Sequence, residues 1–120
     1  MLLDSNIIIY ASQPHYEHIR QFIAENAPYI SVISKIEVLG YHKFDQGSRK
    51  FLEEFFGAAE ILPLDDSIVS KAIELRQQRK MSLGDSIIAA TALAHKLSLV
   101  TRNTEDFKWV GDLNLIDPFE

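Results

Sequence analysis

The chain has 120 residues, of which 47% are hydrophobic and 24% are charged, and its formal net charge is −5. This length predicts a single domain, residues 1–120, whose core buries roughly two thirds of the unfolded surface. The absence of cysteine excludes disulfides, thiolate metal sites and cysteine nucleophiles, and the negative charge argues against a protein that binds nucleic acid through a general positive field.

The first half of the chain alternates short apolar stretches with segments of helical periodicity. It predicts a buried strand, a helical turn, an amphipathic helix, a second strand and two further helices, at residues 2–3, 6–11, 16–26, 29–32, 34–41 and 47–59. Ser34 is available to cap the helix at 34–41, and Gly40 lies near its end. Three phenylalanines and a leucine give the last of these helices a stripe that is too apolar to face only water.

The second half predicts three strands, two long helices and a polar loop. The strands fall at residues 61–64, 97–101 and 113–116, a helix capped within 65–67 runs to about residue 80, another covers 85–96, and the loop covers 102–107. Pro63 has no N–H to donate, so its strand belongs at a sheet edge. The helix at 85–96 is apolar nearly all round, which predicts a central buried position. Strands that alternate with helices indicate a parallel sheet covered on both faces.

Three acids follow predicted strands and a fourth begins a helix that leads into a strand, and the predicted topology brings all four to one edge of the sheet. Ligands of an open parallel sheet bind at the carboxyl ends of its strands, where the strand order reverses. If the first strand is central, Asp4 ends it, Glu37 lies in the helix after the second strand, and Asp106 follows the fourth. A helix that feeds a parallel strand runs opposite to that strand, so the helix that begins near Asp85 also starts at this edge. The topology therefore predicts that the four acids meet.

Each acid also has a simpler explanation. Asp4 can cap a helix, Glu37 can lie on a helix surface, and Asp85 can stabilise a helix N-terminus by its charge. Asp106 is an acidic loop residue, which needs no special role. Two carboxylates about 4 Å apart repel by roughly 4 kcal/mol at an effective dielectric near 20, so a cluster requires protons or cations. Oxygen-only ligands suit Mg²⁺ or Mn²⁺, which predicts metal-assisted attack of water on a phosphodiester.

Other residues with chemical potential favour structural interpretations. His15 and His18 share a helical face but have no third ligand that would complete a zinc site. Trp109 is interpreted as a core or interface residue rather than a base-stacking platform. The net charge does not exclude a nucleic-acid enzyme, because acids clustered at one site can dominate it while basic groups lie elsewhere. Two such basic groups are present, although each alone is interpreted as a solvated helix face, and they consist of Arg76, Arg79 and Lys80 and of Lys43, Arg49 and Lys50.

The apolar stretches show neither the pattern of a signal peptide nor that of a membrane span. The first stretch is broken by Asp4 and has neither a basic region before it nor a small-residue cleavage site after it, so no signal peptide is predicted. No apolar run approaches the roughly 18 residues that a membrane span requires. We therefore expect a cytoplasmic protein with no membrane partner.

Four segments of the sequence resemble those of a known family. They are L-L-D-S-N-I-I-I-Y at the start, S-K-I-E-V-L-G around Glu37, L-G-D-S-I-I-A-A-T-A-L around Asp85, and L-V-T-R-N-T-E-D-F after the last long helix. In this order and spacing they cover essentially the whole chain and resemble PIN-domain ribonucleases, specifically small VapC-type toxins of toxin–antitoxin pairs. The resemblance implies a three-layer α/β/α fold with a mostly parallel five-stranded sheet ordered 3-2-1-4-5.

The resemblance also implies which residues form the site. The family's metal-binding and catalytic acids are matched by Asp4, Glu37 and Asp85, and a fourth acid in the final loop is matched by Asp106. Supporting polar positions are matched by Ser5, Asn6, Thr101 and Asn103. Ser5 stands where threonine is usual, and Asn103 stands where many relatives carry aspartate. This leaves open whether Asp106 contacts metal directly and whether one or two ions bind.

The activity that the resemblance implies is Mg²⁺- or Mn²⁺-dependent endonucleolytic cleavage of RNA. Its implied partners are a cognate VapB-like antitoxin, which inhibits the toxin, and a second copy of the chain in a homodimer. A catalytically silent PIN-like binding module is the alternative. A phosphoacceptor receiver domain fits less well, because it requires an adjacent acidic pair after the first strand and a lysine after the last, which this sequence lacks.

Overall fold

A computed structural model describes all residues of the chain, 1–120. Its centre is one five-stranded sheet ordered β3-β2-β1-β4-β5, in which every neighbouring pair is parallel. The strands are β1 Leu2–Leu3, β2 Tyr29–Ser31, β3 Ile61–Leu62, β4 Leu99–Val100 and β5 Leu115–Ile116. The order confirms the prediction, and the sheet is parallel throughout. A receiver domain has the order 2-1-3-4-5, so this topology excludes that alternative.

Seven helices connect and cover the strands. They are α1 Ser5–Ala11, α2 Glu17–Asn26, α3 Val32–Leu39, α4 Gln46–Ala58, α5 Asp66–Gln78, α6 Leu83–Ala94 and α7 Thr104–Phe107. None of them combines the length and the apolar character that crossing a membrane requires. The predicted central position of the 85–96 helix is confirmed, because α6 is buried along most of its length.

Several helix ends differ from the predictions by one or two residues, and one short helix was not predicted. Helix α3 begins two residues earlier than expected, because the side chain of Ser31 rather than Ser34 caps it and accepts the Ile33 N–H at 3.2 Å. Helix α6 begins at Leu83, inside the predicted break, because Ser82 caps it. The predicted polar loop contains the short helix α7. Ser31 and Ser34 both lie at the start of the α3 pattern, and a tertiary contact of Ser34 with Ser5 leaves Ser31 as the cap.

The sheet has a hydrophobic core on each face. Leu2 and Leu3 point to opposite faces, as successive strand residues do. The face that contains Leu2 packs against α5, α6 and α7, and the face that contains Leu3 packs against α1 to α4. The aromatic stripe of α4 contributes Leu52 and Phe56 to the second core, as its apolar pattern predicts. These contacts confirm the three-layer arrangement.

The sequence accounts for the central position of β1 and for the edge position of β3. β1 lies between β2 and β4, so both of its edges are paired and its side chains are fully buried. β3 pairs only with β2, and Pro63 follows its last residue. The edge position predicted from Pro63 is therefore confirmed. The strand order reverses at β1, and the residues that follow β1 and β4 lie side by side there.

Candidate active site

The carboxyl ends of the two adjacent strands β1 and β4 bring Asp4 and Thr101 together. Leu3 lies opposite Val100 in the parallel pair, so the next residues are neighbours. The Asp4 N–H donates to the Val100 carbonyl oxygen at 2.9 Å, and the Thr101 hydroxyl donates to Asp4 Oδ2 at 2.8 Å. Only 4% of Asp4 and none of Thr101 is exposed. The hydroxyl therefore holds one oxygen of a buried carboxylate.

Asp4 occupies the N-cap position of α1, but its side chain does not cap the helix. Burial raises the pKa of Asp4 to about 6, the hydrogen bond from Thr101 opposes this rise, and the negative charges of Asp85 and Glu37 add to it. The simpler explanation of Asp4 as a helix cap is therefore wrong. A buried acid with a raised pKa reduces the stability of the fold, and such groups concentrate at functional sites.

Two buried serines hold Glu37 at the same edge of the sheet. The hydroxyl of Ser5, the first residue of α1, donates to Glu37 Oε1 at 2.7 Å. Ser5 Oγ also lies 2.9 Å from Ser34 Oγ, and Ser34 belongs to the same helix as Glu37. Glu37 itself is exposed. These contacts join α3 to the start of α1, directly beside Asp4.

Asp85 lies half-buried in the first turn of α6. Its N–H donates to the Ser82 hydroxyl oxygen at 3.1 Å, which fixes the start of the helix. Burial raises the pKa of Asp85, and the charges of Asp106 and Glu37 raise it further. Because Asp85 also raises the pKa of Asp4, it interacts electrostatically with all three other acids.

The four acids share one edge of the sheet without forming a closed ligand set. Asp106 is exposed on α7, and its N–H donates to the Asn103 carbonyl oxygen at 3.0 Å. No group of three or more acidic, histidine or cysteine side chains is close enough together to hold a metal ion as it stands. The structure therefore brings the acids within electrostatic reach of one another but not into a preformed cage.

The supporting polar residues divide into two buried hydroxyls and two exposed amides. Ser5 and Thr101 are buried and each contacts a site carboxylate. Thr101 Oγ1 also accepts the Asn103 N–H at 3.0 Å, so the same hydroxyl holds the loop after β4. The side chains of Asn6 and Asn103 are exposed, and Asn103 does not cap α7 with its side chain. The hydroxyls thus position acids, whereas the amides face solvent.

A match to a protein-family model identifies the fold. Residues 1–113 match the PIN domain. The chain belongs to the PIN domain family. The matched region includes all four acids of the candidate site and both of the hydroxyls that contact them.

Relatives of this PIN domain are similar over nearly their whole length. The chain is 29% identical over 126 residues to Ribonuclease VapC2 of Rickettsia felis, across 95% of this chain and 94% of the relative. A toxin–antitoxin complex from Klebsiella pneumoniae superimposes with a TM-score of 0.79 at 31% identity, across 99% of this chain and 98% of the other. VapBC2 from Rickettsia felis bound to a DNA fragment from its promoter superimposes with a TM-score of 0.82 at 25% identity, across 96% of each chain.

Gly84 allows α6 to approach Glu37 closely in this PIN domain. A Cβ atom on Gly84 would lie 2.5 Å from Glu37 Oε2 and 3.1 Å from its Cδ. Glycine in a helix costs about 1 kcal/mol relative to alanine, so a glycine next to Asp85 in a helical pattern is a signal of close approach. The predicted helix starts at residue 85 and leaves Gly84 outside it, so the sequence pattern did not show this contact.

Replacing Gly84 with alanine is expected to reduce catalysis without destabilising the fold. The added methyl group displaces the exposed Glu37 carboxylate and breaks its hydrogen bond with Ser5. On the expectation that Glu37 is a metal ligand, we expect RNA cleavage to fall by about 10- to 100-fold, the range found when groups that orient metal ligands are lost. The melting temperature should stay level or rise because alanine favours the helix.

The matched control for this substitution is Gly57→Ala. Gly57 lies in α4, and a Cβ atom there would meet nothing within 4 Å. This variant should gain stability and retain the full cleavage rate. A Gly84→Ala protein that cleaves as fast as Gly57→Ala would show that the position of Glu37 does not matter for the reaction.

An aromatic cluster beside the site was also missed. The Arg102 guanidinium lies 4.1 Å from the centre of the Phe119 ring and 5.2 Å from that of Tyr10. The Tyr16 ring completes the cluster at 5.0 Å from Tyr10 and 5.8 Å from Phe119. Since Arg102 directly follows Thr101, these contacts pack the end of the chain against the loop beside Asp4. The sequence showed this segment only as a polar loop.

Proposed function

We propose that this PIN domain is a divalent-metal-dependent endoribonuclease and the toxin of a toxin–antitoxin pair. The observation that carries the proposal is the buried Asp4 carboxylate, which Thr101 holds within electrostatic reach of Glu37 and Asp85. Relatives described as a ribonuclease and as a toxin–antitoxin complex support the same assignment. We propose that residues 1–120 form one domain, since a single sheet contains both β1, Leu2–Leu3, and β5, Leu115–Ile116.

The donor atoms at this edge fit Mg²⁺ or Mn²⁺. Carboxylate oxygens are the ligands that these hard ions bind. The ion pairs of the chain are Lys71 with Glu74 and Lys108 with Glu105, so no basic side chain neutralises a site acid. We propose that the ligands are Asp4, Glu37, Asp85 and Asp106. When bound, the ion lowers the pKa of a water molecule and stabilises charge on the scissile phosphate.

The chain's own residues orient these ligands and leave oxygens free. Thr101 donates to one oxygen of Asp4, and Ser5 donates to one oxygen of Glu37. The second oxygen of each carboxylate accepts from neither of these hydroxyls. We propose that Ser5 and Thr101 fix the direction of the ligands, while Asn6 and Asn103 face solvent where substrate would lie.

Cleavage of RNA in the presence and absence of metal tests the proposal. Purified protein is incubated with total RNA and with labelled single-stranded RNA, in Mg²⁺ or Mn²⁺ and in excess chelator. Cleavage is expected only with metal. Sequencing of the new ends identifies the sites, and a substrate with a 2′-deoxy nucleotide at the cleaved position should still be cut, because water rather than the 2′-hydroxyl attacks phosphorus.

Two results would contradict this mechanism. Products that end in 2′,3′-cyclic phosphate would show that the 2′-hydroxyl is the nucleophile. No cleavage of any RNA class with either metal would instead favour the catalytically silent binding module. The two outcomes are distinct, since only the first retains a nuclease.

We further propose that the partners are a cognate VapB-like antitoxin and a second copy of the chain. Large apolar side chains are left exposed on three helices, and they include Ile36 at 64%, Ile73 at 55% and Leu83 at 58%.

We propose that the protein acts in the cytoplasm, because its proposed substrate is RNA and its sequence contains no cysteine. Light scattering tests the homodimer and should give a mass near twice the 13.7 kDa of one chain. A monomer at micromolar concentration would contradict the homodimer.

A further inference from the structure

A cavity of about 580 Å³ opens beside two of the site acids. It lies between the end of α5 and the start of α6, next to α7. Its lining consists of Arg76, Lys80, Met81, Ser82, Asp85 and Asp106. Acids from the candidate site and cations from a neighbouring segment therefore face the same space.

The three basic residues at the end of α5, Arg76, Arg79 and Lys80, make different contacts. The Arg79 guanidinium lies over the Trp109 ring, 5.6 Å from the ring centre, and the Trp109 indole N–H donates to the Asp106 carbonyl oxygen at 3.1 Å. Arg79 therefore supports the short helix α7, which carries Asp106. Arg76 and Lys80 line the cavity instead.

Neither Arg76 nor Lys80 is neutralised by an acidic side chain of the protein. Arg76 Nε donates to the Met81 carbonyl oxygen at 3.3 Å, which uses one of the five N–H groups of its guanidinium. Neither residue forms an ion pair, although Asp85 and Asp106 line the same cavity. Both side chains are exposed. Two unpaired cations thus stand next to the acids.

This arrangement matters because the rest of the molecule repels a polyanion. The chain carries a net charge of −5, and four of its acids lie at the site edge. A cation in the last turn of a helix is also favoured by the helix dipole, which accounts for Arg76 but not for Lys80, since α5 ends at Gln78. A local positive surface beside the acids favours attraction of the RNA backbone to this edge.

We propose that Arg76 and Lys80 form a phosphate-binding surface that holds the RNA backbone beside the scissile bond. This inference rests on the proposed function and assigns these two residues a positioning role. Arg76 offers a planar group with several donors, and Lys80 offers a compact charge. The phosphates that they contact are those of single-stranded RNA on the Asp85 side of the site.

Binding of RNA without metal tests the surface separately from cleavage. Fluorescence anisotropy with labelled single-stranded RNA in chelator compares wild type with Arg76→Gln/Lys80→Gln over a range of salt concentrations. We expect the Kd to rise at least about 10-fold. The slope of log K against log salt should shrink by about 1.4, or about 0.7 for each lost phosphate contact.

The matched control removes two positive charges elsewhere. Lys50→Gln/Lys71→Gln makes the same change in net charge, with Lys50 on α4 and Lys71 on the part of α5 that faces a different cavity. The control should bind RNA within about 2-fold of wild type. If RNA binding weakens equally in both double variants, the effect comes from net charge alone, and the proposed phosphate-binding surface is contradicted.

Kinetics and conservative substitutions distinguish positioning from a structural role. In Mn²⁺, Arg76→Gln/Lys80→Gln should raise KM and leave kcat within about 3-fold, and Arg76→Lys/Lys80→Arg should restore most of the binding. If the double variant melts early because the bond to Met81 is lost, Lys80→Gln alone carries the test, since Lys80 has no partner.

Two results would overturn the inference, namely unchanged RNA binding by the double variant and an unchanged salt slope. Unchanged RNA binding together with altered inhibition by antitoxin would assign the cations to the protein partner. A wild type that binds RNA but does not cleave it in metal would instead contradict the proposed nuclease, so the two failures are distinguishable.

Discussion

Replacing Asp4 with asparagine is expected to reduce RNA cleavage by about 100-fold or more. Asparagine keeps the shape of the side chain and can still accept the hydrogen bond from Thr101, but it removes the negative charge. Loss of a residue that only orients a metal ligand costs about 10- to 100-fold, and loss of a charged ligand exceeds that range. Single-turnover rates with labelled RNA in Mn²⁺ measure the effect.

Asp66→Asn provides the matched control for this change. Asp66 is an exposed aspartate in the first turn of α5, and its neighbour Ser67 lines a cavity with the end of α6 and with Ser98, at the amino edge of the sheet. Its replacement makes the same change in charge and should leave the cleavage rate within about 2-fold of wild type. An Asp4→Asn protein with the wild-type rate would remove Asp4 from the reaction, and with it the centre of the proposed site.

The same Asp4→Asn substitution is expected to stabilise the metal-free protein at neutral pH. Burial holds the pKa of Asp4 near 6, against 3.8 in the unfolded chain. Below pH 3.8 the carboxyl group is protonated in both states and imposes no penalty. As pH rises from about 4 to 6, the unfolded state loses its proton first, so the free energy of unfolding falls. Above pH 6 the full penalty is about 3 kcal/mol.

Thermal unfolding as a function of pH measures this effect. In chelator, the difference in stability between Asp4→Asn and wild type should be near zero at pH 3.5, grow between pH 4 and 6, and level off above that. Mg²⁺ or Mn²⁺ should reverse the order at pH 7, because the ion binds the wild-type carboxylate and stabilises the folded state. Equal melting temperatures for the two proteins under all these conditions would show that Asp4 is neither destabilised nor a ligand.

The fold could be predicted well because its main signals are local. A short apolar run that ends at Asp4 identifies β1, and Pro63 identifies an edge strand from its missing N–H. Helix α6 is apolar on all sides, so only a central position can bury it. The strand order itself came from the resemblance to PIN domains. Periodicity alone shows where strands are but not which of them pair.

The helix boundaries could not be predicted to the residue. Ser31 and Ser34 both precede an apolar helical pattern, and either can cap it. The structure uses Ser31, because Ser34 is buried within α3 and contacts Ser5. That contact spans 29 residues of sequence. No local pattern of either segment contains the information that selects the cap.

The acids of the site followed from topology, whereas their contacts did not. Asp85 was expected at the shared edge because α6 must run opposite to β4. The hydrogen bond from Ser5 to Glu37, the approach of Gly84 to Glu37, and the cavity beside Arg76 and Lys80 each depend on how side chains of separate helices pack. Spacing along the chain determines the face and the edge on which a residue lies, but it does not determine the partner across a helix interface.

The hydrogen bond between Thr101 and Asp4 joins residues that are 97 positions apart in the chain. A ribosome adds about 5–20 residues per second, so about 5–20 s separate the synthesis of these two residues. During that interval β1 lacks its partner β4, and Asp4 lacks the hydroxyl that holds it. The nascent chain therefore carries its first acid long before the site can assemble. Translation that stops before Thr101 releases a product without a functional site, so the sheet topology itself delays activity until β4 and Thr101 have been synthesised.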